Sequence, residues 1–182
     1  MNKQKFRNKY RTQSIRLKKW DYGWNAAYFV TICTKHKKYF LGKIIEDNMQ
    51  LSTIGIVAEK CWKQIPDHFP FVQLDQFVIM PNHIHGIIII NKEDDRRDVE
   101  AQGPESVKSL NKFGGQSKNL ASIIRGFKIG VTKEAHQTNP NFAWQARFYD
   151  RVIRNNNELE KIQIYIHDNP LNWKKDKLNI EK

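Results

Sequence analysis

Two histidines, His83 and His85, stand two residues apart in the stretch "MPNHIHGIIII". On a β-strand, residues i and i+2 project from the same face. His83 and His85 therefore point together, followed on that face by Ile87 and Ile89. Gly86, Ile88 and Ile90 take the other face. Two neutral imidazoles side by side are the beginning of a divalent-metal site. The plainer alternative is a structural pair on a buried strand, and the two histidines alone leave both readings open. A metal needs at least one further ligand, which must come from another element.

The last helical pattern offers one. Tyr165 and Asn169 are four residues apart, so on a helix their directions differ by only about 40°. Both flank the stripe of Leu159, Ile162 and Ile166, at the rim of the core. An asparagine amide oxygen is a neutral, hard ligand suited to Mg²⁺ or Mn²⁺. A tyrosine one turn away would sit beside such an ion. His167 competes as a ligand but points about 160° from Tyr165 on a continuous helix. Taken alone, Tyr165 also reads as an amphipathic aromatic at the core rim.

The charge suggests the partner. The 182 residues carry 31 Lys+Arg against 19 Asp+Glu, a net +12. An excess of this size points first to nucleic acid and second to an anionic membrane. Eight of the basic side chains fall within residues 1–19, Lys18 and Lys19 among them, with no acid. Such an arm suits a phosphate backbone and is not obviously amphipathic, which disfavours membrane insertion. No apolar run approaches ~18 residues, and no hydrophobic leader core follows the basic start, so the expected location is cytoplasmic. Cys33 and Cys61 form no CxxC pair, which argues against a zinc ribbon or redox motif.

The elements that must position these residues follow from periodicity. Residues 26–34 read as a strand, and "YFLGKIIEDNMQLS" as a hairpin turning at Glu46, Asp47 and Asn48. Ile54, Val57, Ala58, Cys61 and Ile65 define one helical face, capped by Ser52 and ended at Pro66. Two antiparallel strands follow, over about 72–80 and 85–90. Residues 91–116 read as a long loop. Leu120, Ile123, Ile124, Phe127 and Val131 define a second helix, with Arg125, Lys128 and Lys133 off its apolar stripe. "RFYDRVI" forms a further strand, and a last helix precedes Pro170. This order predicts an α+β sandwich, an antiparallel sheet of ferredoxin-like character with helices packed on it. The division expected is an arm over 1–24, a domain over 25–173 and a basic tail over 174–182.

"PNHIHGIII", followed about eighty residues later by "QIYIHDNP", resembles the single-tyrosine HUH transposases, especially their REP-associated branch. The resemblance covers about residues 25–173 and includes "WQARFYDRVIRNNNELEKIQIYIHDNP". It implies that His83 and His85 are metal ligands, that Tyr165 is the nucleophile, and that Asn169 fills the third-ligand position. Many insertion-sequence relatives carry Gln there instead. The implied activity is metal-dependent cleavage and rejoining of single-stranded DNA beside hairpins or palindromic repeats, through a covalent 5′-phosphotyrosine, with Mg²⁺ or Mn²⁺ as cofactor. A homodimer with shared sites or a monomer are both compatible with the family. A non-catalytic DNA- or RNA-binding protein, or a metal hydrolase using water, would be the alternatives.

Around such a site, Arg147, Arg151 and Arg154 are placed to hold phosphates. Trp144, like Trp20, Tyr22 and Trp24, is interleaved with basic residues as a base-stacking aromatic would be. Arg125 and Lys128 would face the same DNA, with the arm as reader of the hairpin or its flanks. Core packing for the tryptophans and a solvated sheet edge for the arginines are the competing readings.

Overall fold

The computed structural model describes residues 20–92 and 118–180, together with the backbone of 5–6 and 9–10. Lys18, Lys19, most of the basic arm and nearly all of the 91–116 loop lie outside the described residues. Lys5–Phe6 (β1) and Lys9–Tyr10 (β2) pair antiparallel.

The main sheet comprises Ala26–Cys33 (β3), Val72–Met80 (β6), His83–Ile90 (β7) and Tyr149–Ile153 (β8). Their order is β6-β7-β3-β8, with every neighbouring pair antiparallel. Thr53–Lys63 (α1) connects β3 to β6, after the hairpin Gly42–Ile45 (β4) and Asn48–Leu51 (β5). Leu120–Ala135 (α3) connects β7 to β8. This is the ferredoxin-like α+β sandwich that the periodicity predicts. Glu46 and Asp47, both at positive φ, form the tight turn of the β4–β5 hairpin.

The three longer helices each start where a side chain meets the orphan amides. Ser52 accepts from the Gly55 N–H at the start of α1, and Asn119 and Ser122 form a reciprocal capping box on α3. Pro66 differs from its predicted role. Instead of ending α1, it occupies the first turn of a short helix, Ile65–His68 (α2), where its missing N–H costs nothing.

The sheet buries both faces. Tyr28, Val30, Ile32, Ile84, Ile88 and Ile90 meet α1 and α3 in the main core. Phe29, Ile87 and Ile153 face the other way, against Ile166 of the last helix, Asn156–His167 (α4). Leu159 and Ile162 of α4 complete this smaller core. Two polar contacts fix α4 across the sheet. Gln163 donates to both carboxylate oxygens of Asp75, at 2.8 and 3.1 Å, and Asp75 sits in the irregularity of β6 between Leu74 and Phe77. At the other end, Glu158 pairs with Arg151 and accepts from the Arg154 N–H. Among the described residues, no helix is long and apolar enough to cross a membrane.

Gly86 explains how α1 approaches the histidine strand. A Cβ at this position would lie 2.3 Å from a ring carbon of the buried Trp62. Gly86→Ala is therefore expected to destabilise the protein by about 1–3 kcal/mol, the usual cost of overpacking a well-filled core. A urea unfolding curve with an unchanged midpoint would contradict this packing.

Candidate active site

The register of the sheet assembles the site. His85 of β7 lies opposite Thr31 of β3, and His83 opposite Cys33. The strand's alternation turns both imidazoles to the face that α4 covers, where each is almost wholly buried. Their Nε2 atoms meet at 3.1 Å. The Tyr165 hydroxyl, carried by α4, lies 3.3 Å from Nε2 of His85. Phe29 stacks against His85 and meets Tyr165 edge-on, so the tyrosine ring has a fixed apolar wall. Tyr165 as a residue remains 48% exposed.

The outer nitrogens of the histidines are held from behind. His83 Nδ1 lies 2.8 Å from Oδ1 of the fully buried Asn82. The Asn82 amide nitrogen is committed to the carbonyls of Lys37 and Leu178, which orients its oxygen toward His83. His83 must therefore donate from Nδ1, leaving the Nε2 lone pair facing the site. Thr31 Oγ1 lies 2.9 Å from Nδ1 of His85. Outer partners of this kind fix ring orientation in metal-binding histidines.

Burial, first, keeps both rings neutral. It lowers His85 to about 3, and it lowers His83 well below its ordinary value, helped by His85 and Lys37. Neutral imidazoles are the ligand form. In the unfolded chain both titrate near ~6.5. Below that pH the unfolded state takes up protons that the folded state refuses, so stability falls as pH drops from about 6.5 toward 3. Each histidine contributes at most about 1.4 kcal/mol per pH unit to this loss. Urea midpoints of chelator-treated protein, measured from pH 7 to pH 5, should decline along this slope, and a flat profile would contradict the buried neutral pair.

Asn169 and Asp176 complete the surroundings. Asn169 is 3% exposed, and its Oδ1 is buried without a hydrogen-bond partner, an uncommon state for an amide oxygen. Asp176 follows the short turn Trp173–Lys175, and its Oδ2 lies 4.0 Å from Nε2 of His83. His83, His85 and Asp176 form a group able to hold a metal ion, with one ligand atom from each within 4.8 Å of the others. A carboxylate turned toward two neutral imidazoles is a donor set that suits a divalent cation.

Sequence reasoning did not single out Asn82, Thr31 or Asp176. Asn82 precedes the histidine triplet directly but carries no signal of which way its amide turns. Asp176 interrupts a run of lysines, the one hint available. His167, the competing ligand, is exposed and hydrogen-bonded to Asp168, away from the pair.

The residues expected to contact DNA are dispersed. Arg147 lines a cavity next to His85. Arg151 lies on β8 and Arg154 directly after it, just before α4, with Arg151 paired to Glu158. Arg125 is exposed on α3. Lys128 is half-buried, its pKa pushed down to about 8 by burial, and its ammonium donates to the carbonyls of Gln145 and Arg147 at 2.7 and 3.1 Å. Trp144 packs against Phe127 and Phe142 beside the main core. Trp24 is exposed, with Trp20 edge-on to it.

A sheet bearing a His–Ile–His triplet on a central strand, crossed by a helix that brings a tyrosine to it, defines the class of protein to which this site belongs. The same fold occurs in a solved REP-associated tyrosine transposase bound to a REP hairpin, with a TM-score of 0.59 and 18% identity, over 92% of this chain and 77% of that one. In sequence, the chain is 40% identical over 171 residues to a Haemophilus influenzae "Uncharacterized protein", covering 93% of each, and it belongs to the same family as that protein. It is 24% identical over 147 residues to a "Putative REP-associated tyrosine transposase" of the same organism, covering 76% of this chain and 72% of the other. No family model matches. The chain thus resembles the REP-associated tyrosine transposases in fold and sequence as well as in its motifs.

Proposed function

We propose that the protein is a metal-dependent, cytoplasmic single-stranded DNA endonuclease and strand transferase that acts through a covalent 5′-phosphotyrosine on hairpin-flanked sites. The observation that supports this reading is the Tyr165 hydroxyl, 3.3 Å from Nε2 of His85 in a buried histidine pair. Position alone is not enough, because burial raises the Tyr165 pKa, partly offset by a hydrogen bond from Asn169 and reinforced by Asp176. The histidines stay neutral and add no charge that would favour phenolate. His83, His85 and Asn169, with Asp176 in reach, would hold a divalent cation, which would supply that charge and offset the phosphate's own. Mg²⁺ or Mn²⁺ suits these donors.

Tyr165 Oη attacks phosphorus, the bond from phosphorus to the 3′-oxygen breaks, and that oxygen leaves as a 3′-hydroxyl after taking up a proton. The phosphotyrosine conserves the bond energy, so a second 3′-hydroxyl attacks it, releases the phenol and joins new ends. No nucleotide cofactor is needed. Arg147, Arg151 and Arg154 hold phosphates near the site, while the basic arm, with Lys18 and Lys19, engages the hairpin or its flanks.

The test uses single-stranded oligonucleotides from the palindromes beside the gene, labelled downstream of the cut, with Mn²⁺ or Mg²⁺. A labelled protein band on a denaturing gel that requires metal is the expected result. Cleavage without a labelled protein would assign a hydrolase instead, and binding without cleavage a binding module.

A further inference from the structure

Beside the tyrosine, a cavity of about 260 Å³ opens over the β3 and β8 side of the same sheet face. Its walls include Thr31, Cys33, His85, Gln145, Arg147 and Tyr149. His85 belongs to both spaces: its Nε2 faces His83 and Tyr165, and its ring walls the cavity. Whatever occupies the cavity therefore adjoins the atoms that meet the scissile phosphate.

Resting on the strand-transfer reading above, we infer that this cavity takes the base of the nucleotide next to the scissile phosphate and sets which base is accepted there. Its volume is below the ~300–1,000 Å³ of sites for drug-sized ligands, which suits one planar ring system. Tyr149 is 43% exposed, and its ring is held edge-on to Phe29 with centroids 6.4 Å apart, a fixed platform for stacking. Gln145 offers an amide donor and acceptor for a base edge. Arg147 supplies positive charge for the attached phosphate. Between these polar groups the floor is uncharged, formed by Thr31 and Cys33. The outer wall is fixed from behind, because Lys128 donates to the Gln145 and Arg147 carbonyls and the Gln145 N–H donates to the Cys33 carbonyl. Lys128 is thus a positioning residue for the specificity wall.

The experiment compares the full-length wild type with Tyr149→Ala and Gln145→Ala, using the labelled substrate with Mn²⁺. Each base flanking the cut is replaced in turn by an abasic site or by the other three bases. With wild type, an abasic site at one flanking position should lower adduct yield by about 5- to 150-fold, the range of a base–aromatic stack. In Tyr149→Ala that penalty should vanish at that position alone. In Gln145→Ala, whose exposed side chain can be removed without disturbing the core, discrimination among bases there should flatten. A variant that slows every substrate equally, with each positional penalty unchanged, would overturn the pocket assignment while leaving strand transfer intact. A wild type forming no adduct with any substrate would instead remove the strand-transfer reading, and the pocket with it.

Discussion

Tyr165→Phe should abolish the covalent DNA–protein adduct, lowering its yield by at least about a thousandfold, while DNA affinity stays close to that of the wild type. The substitution removes one oxygen, and that oxygen is the proposed nucleophile. Knocking out a nucleophile in an enzyme that relies on covalent catalysis commonly costs several orders of magnitude. The fold should tolerate the change. Tyr165 is half-exposed, its ring contact with Phe29 is retained by phenylalanine, and the lost hydrogen bond to His85 is worth only about 0.5–1.5 kcal/mol. A gel-based adduct assay beside a binding titration separates the two effects. Adduct formation persisting in this variant would show that another group attacks.

His83→Ala should remove metal-dependent activity and also destabilise the protein, which separates it from Tyr165→Phe. The imidazole is fully buried, and its Nδ1 satisfies Asn82 Oδ1. Its loss strands a buried amide oxygen, a cost of about 1–3 kcal/mol before the cavity left behind is counted. The functional loss should exceed the 10- to 100-fold typical of removing a residue that only supports a ligand. Calorimetric titration with Mn²⁺, run on wild type, His83→Ala, Asn169→Ala and Asp176→Ala, measures the metal side directly. Metal binding should be lost in His83→Ala. The two other variants divide the remaining coordination between the orphaned amide and the carboxylate. Undiminished Mn²⁺ affinity in His83→Ala would contradict the metal reading.

The parts of the site carried by regular elements were legible in the sequence. A period of two put His83 and His85 on one face, and helical spacing put Tyr165 on the side of α4 that meets them, whereas Asn169, expected on the same helix, lies in the turn just beyond its end at His167. The element order led to the observed sheet for the same reason, since hairpins and amphipathic helices leave few ways to cover an antiparallel sheet. What was not legible depends on contacts between distant segments. Asp176 reaches His83 only because the chain folds back after α4, and local pattern shows a lysine-rich tail there. The Asn82 amide is oriented by carbonyls of Lys37 and Leu178, 45 and 96 residues away in the chain. Lys128 reads as a surface cation on α3, yet its ammonium spans to the segment before β8. The irregularity in β6 carries no glycine or proline, so nothing marked Asp75 as the acceptor that fixes α4.

The most direct measurement is peptide mapping of the covalent product. Wild-type protein is reacted with the single-stranded palindrome substrate and Mn²⁺, digested with protease and nuclease, and its nucleotide-bearing peptide is sequenced by mass spectrometry. A nucleotide joined through its 5′-phosphate to Tyr165 is the predicted result. The same modification on Tyr149 or any other residue, or cut DNA with no modified peptide, would contradict the account.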